Sequence, residues 1–105
     1  GYESLKNSEI VQKVAKDVLH HHENYNGSGY PKGLRGKDIP FGARILSIVD
    51  AYDAMTHDRP YRNAMTNKRA INELIKNKNI QFDPDLVDEF IEMLDNIEKI
   101  NDYII

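Results

Sequence analysis

A chain of 105 residues, 40% hydrophobic and 30% charged, has room for one modest core and one domain at most. Its formal net charge of −3 argues against a nucleic-acid polymer as partner, since such binders carry a basic excess. It has no cysteine for disulfides or thiolate metal sites, no apolar run near the roughly 18 residues of a membrane span, and no opening signal peptide, so the cytoplasm is the expected compartment.

The first predicted element is a helix over 8–23. Ser8 stands as its N-cap, Glu9 suits its first turn, and Ile10, Val11, Val14, Ala15, Val18 and Leu19 recur at helical spacing as a stripe expected to be buried. Gly27, Gly29, Pro31, Gly33 and Gly36 then break the pattern, so 24–38 reads as a loop, long enough to expect a function for it. Pro40 opens a second helix that Pro60 closes. Phe41, Ile45, Leu46, Ile48, Val49, Tyr52 and Met55 make it apolar around most of its circumference, as expected of a buried central helix.

Thr66 caps a third helix, over 66–78, with Ala70, Ile71, Leu74 and Ile75 facing inward. Asp83-Pro84 starts a fourth, carried inward by Leu86, Val87, Phe90, Ile91 and Leu94, with Met93 on the flank. The tail from Asn96, with Ile97, Ile100, Tyr103, Ile104 and Ile105, reads as an extension of that helix. No strand alternation, repeat or low-complexity segment is visible. The expected fold is all-α, with about four helices and a long glycine-rich loop.

The chemistry concentrates where the first helix meets the loop. Three of the four histidines, His20, His21 and His22, stand there beside Glu23. Helical phase turns His22 toward the apolar stripe and sets His21 about 100° around from it, while His20 points to solvent or packing. A single histidine on an apolar face is more often a satisfied core residue. An adjacent pair before a glycine loop favours ligand or catalytic duty. Asp50 and Asp53 share one face of the most apolar helix, where a carboxylate is costly unless paired or metal-bound. Either they pair with Arg44, Arg59 or Arg62, or Asp50, the deeper of the two, joins the histidines. Two imidazoles and a carboxylate form a mixed N/O set suited to iron, manganese, zinc or similar metals. Arg59 and Arg62 flank a proline turn and can present two guanidinium forks to one anion, or else form a solvated pair. Lys32, Arg35 and Lys37 add positive charge to the loop, so a phosphorylated ligand beside a metal is the joint expectation.

His21-His22-Glu23, Gly27-Ser28-Gly29-Tyr30-Pro31-Lys32-Gly33-Leu34, Ile39-Pro40, Ala43-Arg44-Ile45, Asp50-Ala51-Tyr52-Asp53-Ala54 and Arg59-Pro60-Tyr61-Arg62, in this order, resemble the HD-GYP domain. That is a helical subgroup of the HD metal-dependent phosphohydrolases, and the match spans about 8–90. The resemblance implies hydrolysis of cyclic di-GMP to pGpG or GMP in bacterial signalling, with two or three divalent ions (iron, manganese or similar) in the intact domain. It implies that His21, His22 and Asp50 ligate metal and act through it. Gly29, Tyr30 and Pro31 would line the substrate cleft, and Arg59 and Arg62 would hold the phosphodiester. Glu23 and Asp53 match the motif in supporting roles around the metal ligands. Asn26 stands where the family commonly shows Asp.

The family completes its site with an earlier half that supplies a His-Asp pair and further ligands. Here the only His-Asp dipeptide is His57-Asp58, beyond Asp50. By register, Gly1-Tyr2-Glu3 follows soon after the last missing histidine, so residues 1–105 read as a partial HD-GYP domain lacking its N-terminal half. That half is then an expected partner, and an upstream sensor or a GGDEF-type cyclase domain is consistent with the resemblance. Alone, the chain is expected to bind metal weakly, to lack robust turnover, and to self-associate through uncovered apolar faces. The alternative readings are a non-catalytic cyclic di-GMP sensing or docking module, and hydrolysis of another cyclic dinucleotide.

Overall fold

The structure, a computed structural model, describes residues 6–104, with side chains described over 6–100. The opening Gly1-Tyr2-Glu3 segment and the tail residue Ile105 lie outside the described residues. Four helices follow one another: α1 (Asn7–His20), α2 (Phe41–Thr56), α3 (Asn67–Lys76) and α4 (Pro84–Ile104). A 3-10 turn, Gly36–Asp38, interrupts the expected loop. Among the described residues the only β-pairings are isolated bridges, Arg59 with Arg62 and Lys78 with Phe82. The fold is all-α.

The start signals of α3 and α4 act as their chemistry dictates. The Thr66 hydroxyl accepts from Arg69 N–H at 3.2 Å. Asp83 stands just before Pro84 and its Oδ1 accepts from Asp85 N–H at 3.0 Å and Leu86 N–H at 3.3 Å, satisfying orphan donors of the first turn of α4. Its other oxygen takes Arg44 Nη1 at 2.7 Å, and Arg44 Nε donates to the Ile39 carbonyl at 3.0 Å. The cap of α4 and the entry to α2 are therefore one buried ionic knot. Pro40 stands just outside the first turn of α2, as its N-cap residue.

α2 contacts each of the other three helices, as its apolar pattern predicts. Ile48 packs with Leu74, Phe82 and Val87 in the core, and Tyr52 meets Phe90 edge to face at 5.3 Å. Yet Phe41, Ile45 and Val49 remain substantially exposed along one side.

α1 departs furthest from expectation. Its N-cap is Lys6, which offers no side-chain acceptor, rather than Ser8. Ile10, Val11, Val14, Val18 and Leu19 are 47–66% exposed, and the buried residue of α1 is His20. A helical stripe is buried only where an apolar surface faces it. α1 instead meets α2 along a different face, where Asp17 sits so close to Gly42 that any Cβ there would collide with its carboxylate. No helix among the described residues is long and apolar enough to cross a membrane.

Candidate functional site

α1 ends at His20, three residues before the helix read from the sequence. His21 is its C-cap, and the turn closes through Glu23 N–H to the His20 carbonyl at 3.0 Å. Helical phase therefore does not govern His22, which is exposed and lies against His21 with ring centroids 3.9 Å apart. His21 Nδ1 contacts the Val18 carbonyl. A carbonyl only accepts, so the contact requires a proton on Nδ1, and a ring with that proton alone has its lone pair on Nε2. That nitrogen lies 4.0 Å from Asp50 Oδ2.

Asp50 is less deep than its apolar neighbours suggest, with a side chain 60% exposed. The reason lies in what surrounds it: Ser47, Ala51 and Ala54 are small, and they leave a cavity of about 240 Å³ lined also by His21, His22, Asn24, Asp50 and Gln81. Neither acidic residue takes the arginine partners considered for it. Asp53 is also mostly exposed and pairs with His57 at 3.3 Å, while Arg44 is held by Asp83.

His20, read from the sequence as solvent-facing or packing, is buried, and its Nδ1 meets Glu23 Oε2 at 2.9 Å. Glu23 is 2% exposed and accepts two backbone donors of the glycine loop besides: Lys32 N–H at 3.2 Å and Leu34 N–H at 3.1 Å. Burial pushes its carboxyl up, but the His20 contact and the Lys32, Leu34 and Gly33 amides outweigh it and hold the group below its ordinary 4.5. Gly33, at φ 66°, makes the turn that aims both amides at one carboxylate. Gly29 lies directly on the backbone of 22–24, where a Cβ would strike the His22 carbonyl and Asn24 N–H. Tyr30 consequently stacks on His22 with centroids 5.2 Å apart and planes 20° apart. Asn26 Oδ1 accepts from Ser28 N–H at 3.0 Å, which needs only a side-chain oxygen and so suits Asn as well as Asp.

The arginine turn is built differently. Arg59 and Arg62 pair through their backbones, and Asp58 Oδ1 accepts Ala64 N–H at 2.7 Å to close the turn. Arg62 Nη2 donates to the Ala54 carbonyl at 3.1 Å near the C-terminal end of α2, and its Nη1 is buried without a partner among the described residues. Arg59 is exposed, and neither arginine lines the cavity.

Among the described residues, no three His, Asp or Glu side chains are arranged to hold a metal ion. The donor chemistry nevertheless fits part of a metal centre. His21 Nε2 faces Asp50 Oδ2 at 4.0 Å, and an imidazole nitrogen and a carboxylate oxygen are both donors that divalent metals take. The His21 Nδ1 contact with a backbone carbonyl also orients the ring as metal-binding histidines are commonly oriented.

Asn24, Ser47 and Gln81 went unrecognised in the sequence. Gln81 reaches the site because the turn before α4 pairs with the turn after α1: Tyr25 N–H donates to the Gln81 carbonyl at 3.1 Å, and Asn26 N–H to the Ile80 carbonyl at 3.0 Å. No local pattern signals contacts over such a separation.

Residues 1–86 match the HD domain family model. Relatives include the cyclic di-GMP phosphodiesterase response regulator RpfG of Xanthomonas campestris pv. campestris, 41% identical over 95% of this chain and 27% of its own length. A cyclic di-GMP phosphodiesterase of Thermotoga maritima is 37% identical over 86% of this chain and 24% of its own length. The 3′3′-cGAMP-specific phosphodiesterase 2 of Vibrio cholerae is 39% identical over 90% and 19%. The chain thus spans about a quarter or less of these relatives' lengths. A crystal structure of a cyclic GMP-AMP-specific phosphodiesterase of Vibrio cholerae superimposes with a TM-score of 0.71 and 25% identity, over 90% of this chain and 21% of that one. With its glycine loop latched beside the histidine pair, of which His21 faces Asp50, the chain belongs to the HD-domain family, in its HD-GYP branch.

Proposed function

We propose that this chain forms the C-terminal part of a metal-dependent phosphodiesterase domain that hydrolyses cyclic di-GMP to pGpG or GMP. The observation that carries the reading is the His21 Nε2–Asp50 Oδ2 pair at 4.0 Å beside a loop latched by Glu23. The relatives named as cyclic di-GMP phosphodiesterases support the substrate. His21, His22 and Asp50 hold a divalent ion such as iron or manganese, with ligands from elsewhere in the protein completing the set. Bound metal supplies Lewis acidity and an activated water for attack on phosphorus. Glu23 keeps the Gly29-Tyr30-Pro31 segment against the histidines, and Tyr30, 63% exposed, presents its outer face to the ligand. Arg59 is the exposed arginine available to the phosphodiester, Arg62 buttresses the turn behind it, and Asp53 keeps His57 in place.

The missing partners of α1 are the other half of the same domain, which covers its exposed apolar face. In the isolated chain that face drives self-association. The protein works in the cytoplasm, where its nucleotide substrate is made, and a GGDEF-type cyclase domain is a partner in the same signalling circuit.

The test is metal content and cyclic di-GMP turnover, measured side by side on the 105-residue chain and on the full-length protein loaded with manganese or ferrous iron. Activity confined to the full-length protein is expected. Robust turnover by the chain alone overturns the shared site. Binding without turnover in both moves the function to sensing or docking. The relatives named for 3′3′-cGAMP favour a second substrate reading, so both cyclic dinucleotides are compared.

A further inference from the structure

We infer that Gln81 is a ligand-contacting residue of this site, a neutral hydrogen-bond donor to the phosphodiester. The inference rests on the phosphodiesterase reading above and adds a residue from outside every motif on which that reading stands.

The cavity beside His21, His22 and Asp50 is lined besides by Asn24, Ser47, Ala51, Ala54 and Gln81. Among the described residues, no lysine or arginine lines it. Arg62 is turned to the Ala54 carbonyl. A phosphodiester seated in this cavity, with Arg59 reaching it only from outside, therefore finds neutral donors such as Asn24, Ser47 and Gln81 in its walls. Asn24 Nδ2 spends one of its two N–H donors on Ser28 Oγ at 3.1 Å, and Ser47 lies buried on α2. Gln81 stands at the exposed edge. Both of its backbone groups are engaged, the N–H with the Asn77 carbonyl at 3.0 Å and the carbonyl with Tyr25 N–H at 3.1 Å. What Gln81 offers a ligand is its side-chain carboxamide, with two N–H donors and no charge.

Its placement is also firm. Asn79, in the left-handed region at φ 65°, bends the chain before it, and Phe82 and Asp83, both buried, anchor the chain after it. The pairing with Tyr25 and Asn26 ties this turn to the segment that follows His22. The turn before α4 is thus a third wall of the site, alongside the end of α1 and the face of α2. A volume of about 240 Å³ suits one phosphodiester with part of its flanking sugar rather than a whole cyclic dinucleotide, so a donor at this edge meets the reacting unit.

The experiment measures manganese content, cyclic di-GMP KM and kcat for the full-length protein and its Gln81→Ala and Gln81→Glu variants. Since the backbone pairing of 80–82 does not need the side chain, both variants fold, which thermal melting verifies. Gln81→Ala raises KM about tenfold, as expected for one lost hydrogen bond to a charged ligand, with kcat within about threefold and manganese content unchanged. Gln81→Glu, of equal size but anionic, raises KM further. Unchanged KM in both variants overturns the inference while wild-type turnover keeps the phosphodiesterase reading intact. A fall in manganese content or a matching loss of melting temperature also overturns it, assigning Gln81 to support of the fold. A wild-type protein that neither binds nor hydrolyses cyclic di-GMP removes the parent reading and this inference together.

Discussion

Two buried carboxylates in this molecule are solvated in the same way and serve different ends. Asp83 accepts one side-chain donor, Arg44, and two backbone amides, Asp85 and Leu86. Glu23 accepts one side-chain donor, His20, and two backbone amides, Lys32 and Leu34. Asp83 holds a helix start to the core. Glu23 holds the glycine loop to the end of a helix. Its side-chain donor is an imidazole three positions away, whereas Arg44 reaches Asp83 across 39 positions of chain. The same donor set is assembled locally in one place and across the fold in the other, and the local version lies beside the candidate site.

The comparison is broken most severely at Asp83. Asp83→Ala leaves Arg44 buried without its partner and strips the cap of α4, so chemical denaturation should register a loss of about 3–5 kcal/mol. Next comes Gly29→Ala. Its methyl group would meet backbone atoms of 22–24 that cannot rotate away, for a cost of about 2–3 kcal/mol in melting experiments and loss of the Tyr30–His22 stack.

Glu23→Gln is smaller globally and larger locally. The amide nitrogen replaces an acceptor facing a backbone N–H, costing about 1–2 kcal/mol. Hydrogen exchange at Lys32 and Leu34 should accelerate in this variant well beyond exchange in the core around Leu74. Uniform acceleration would make the latch a part of the global fold instead.

The latch also sets a pH dependence. The folded-state pKa of Glu23 lies below its ordinary 4.5, so its contribution is fully present above that value and is lost as pH falls through the depressed folded value. Melting temperature followed below pH 5 should drop less steeply in Glu23→Gln than in the wild type. The smallest effect is expected on the exposed stripe. Val11→Lys should shift the stability of the chain by less than about 0.5 kcal/mol, while sedimentation reads any change in self-association.

Local signals account for much of the fold. Thr66 and Asp83-Pro84 start helices where side-chain oxygens meet orphan amides, and the clustered glycines shape the loop that follows α1. These are interactions within a few residues, so a single stretch of sequence contains both partners. The histidine pair, Asp50 and the glycine loop were legible as chemistry for the same reason, and through their likeness to the HD-GYP pattern.

Other features needed the third dimension. Whether the apolar stripe of α1 is buried depends on what stands opposite it, and a sequence periodicity is silent on that. His20 reads from the sequence as solvent-facing or packing; it is the buried residue of α1, and the turn at 21–23 brings Glu23 to it. Arg62 was read with Arg59 as an anion fork, whereas the fold directs it to the end of α2. Gln81 reaches the cavity only because two turns, 55 or so positions apart in the chain, exchange backbone hydrogen bonds. The sequence by itself determined which residues could form helices, turns and ligands, because those properties reside in each side chain and its near neighbours. Tertiary structure decided which of them face the same cavity, because that depends on distances between segments that the order of residues does not specify.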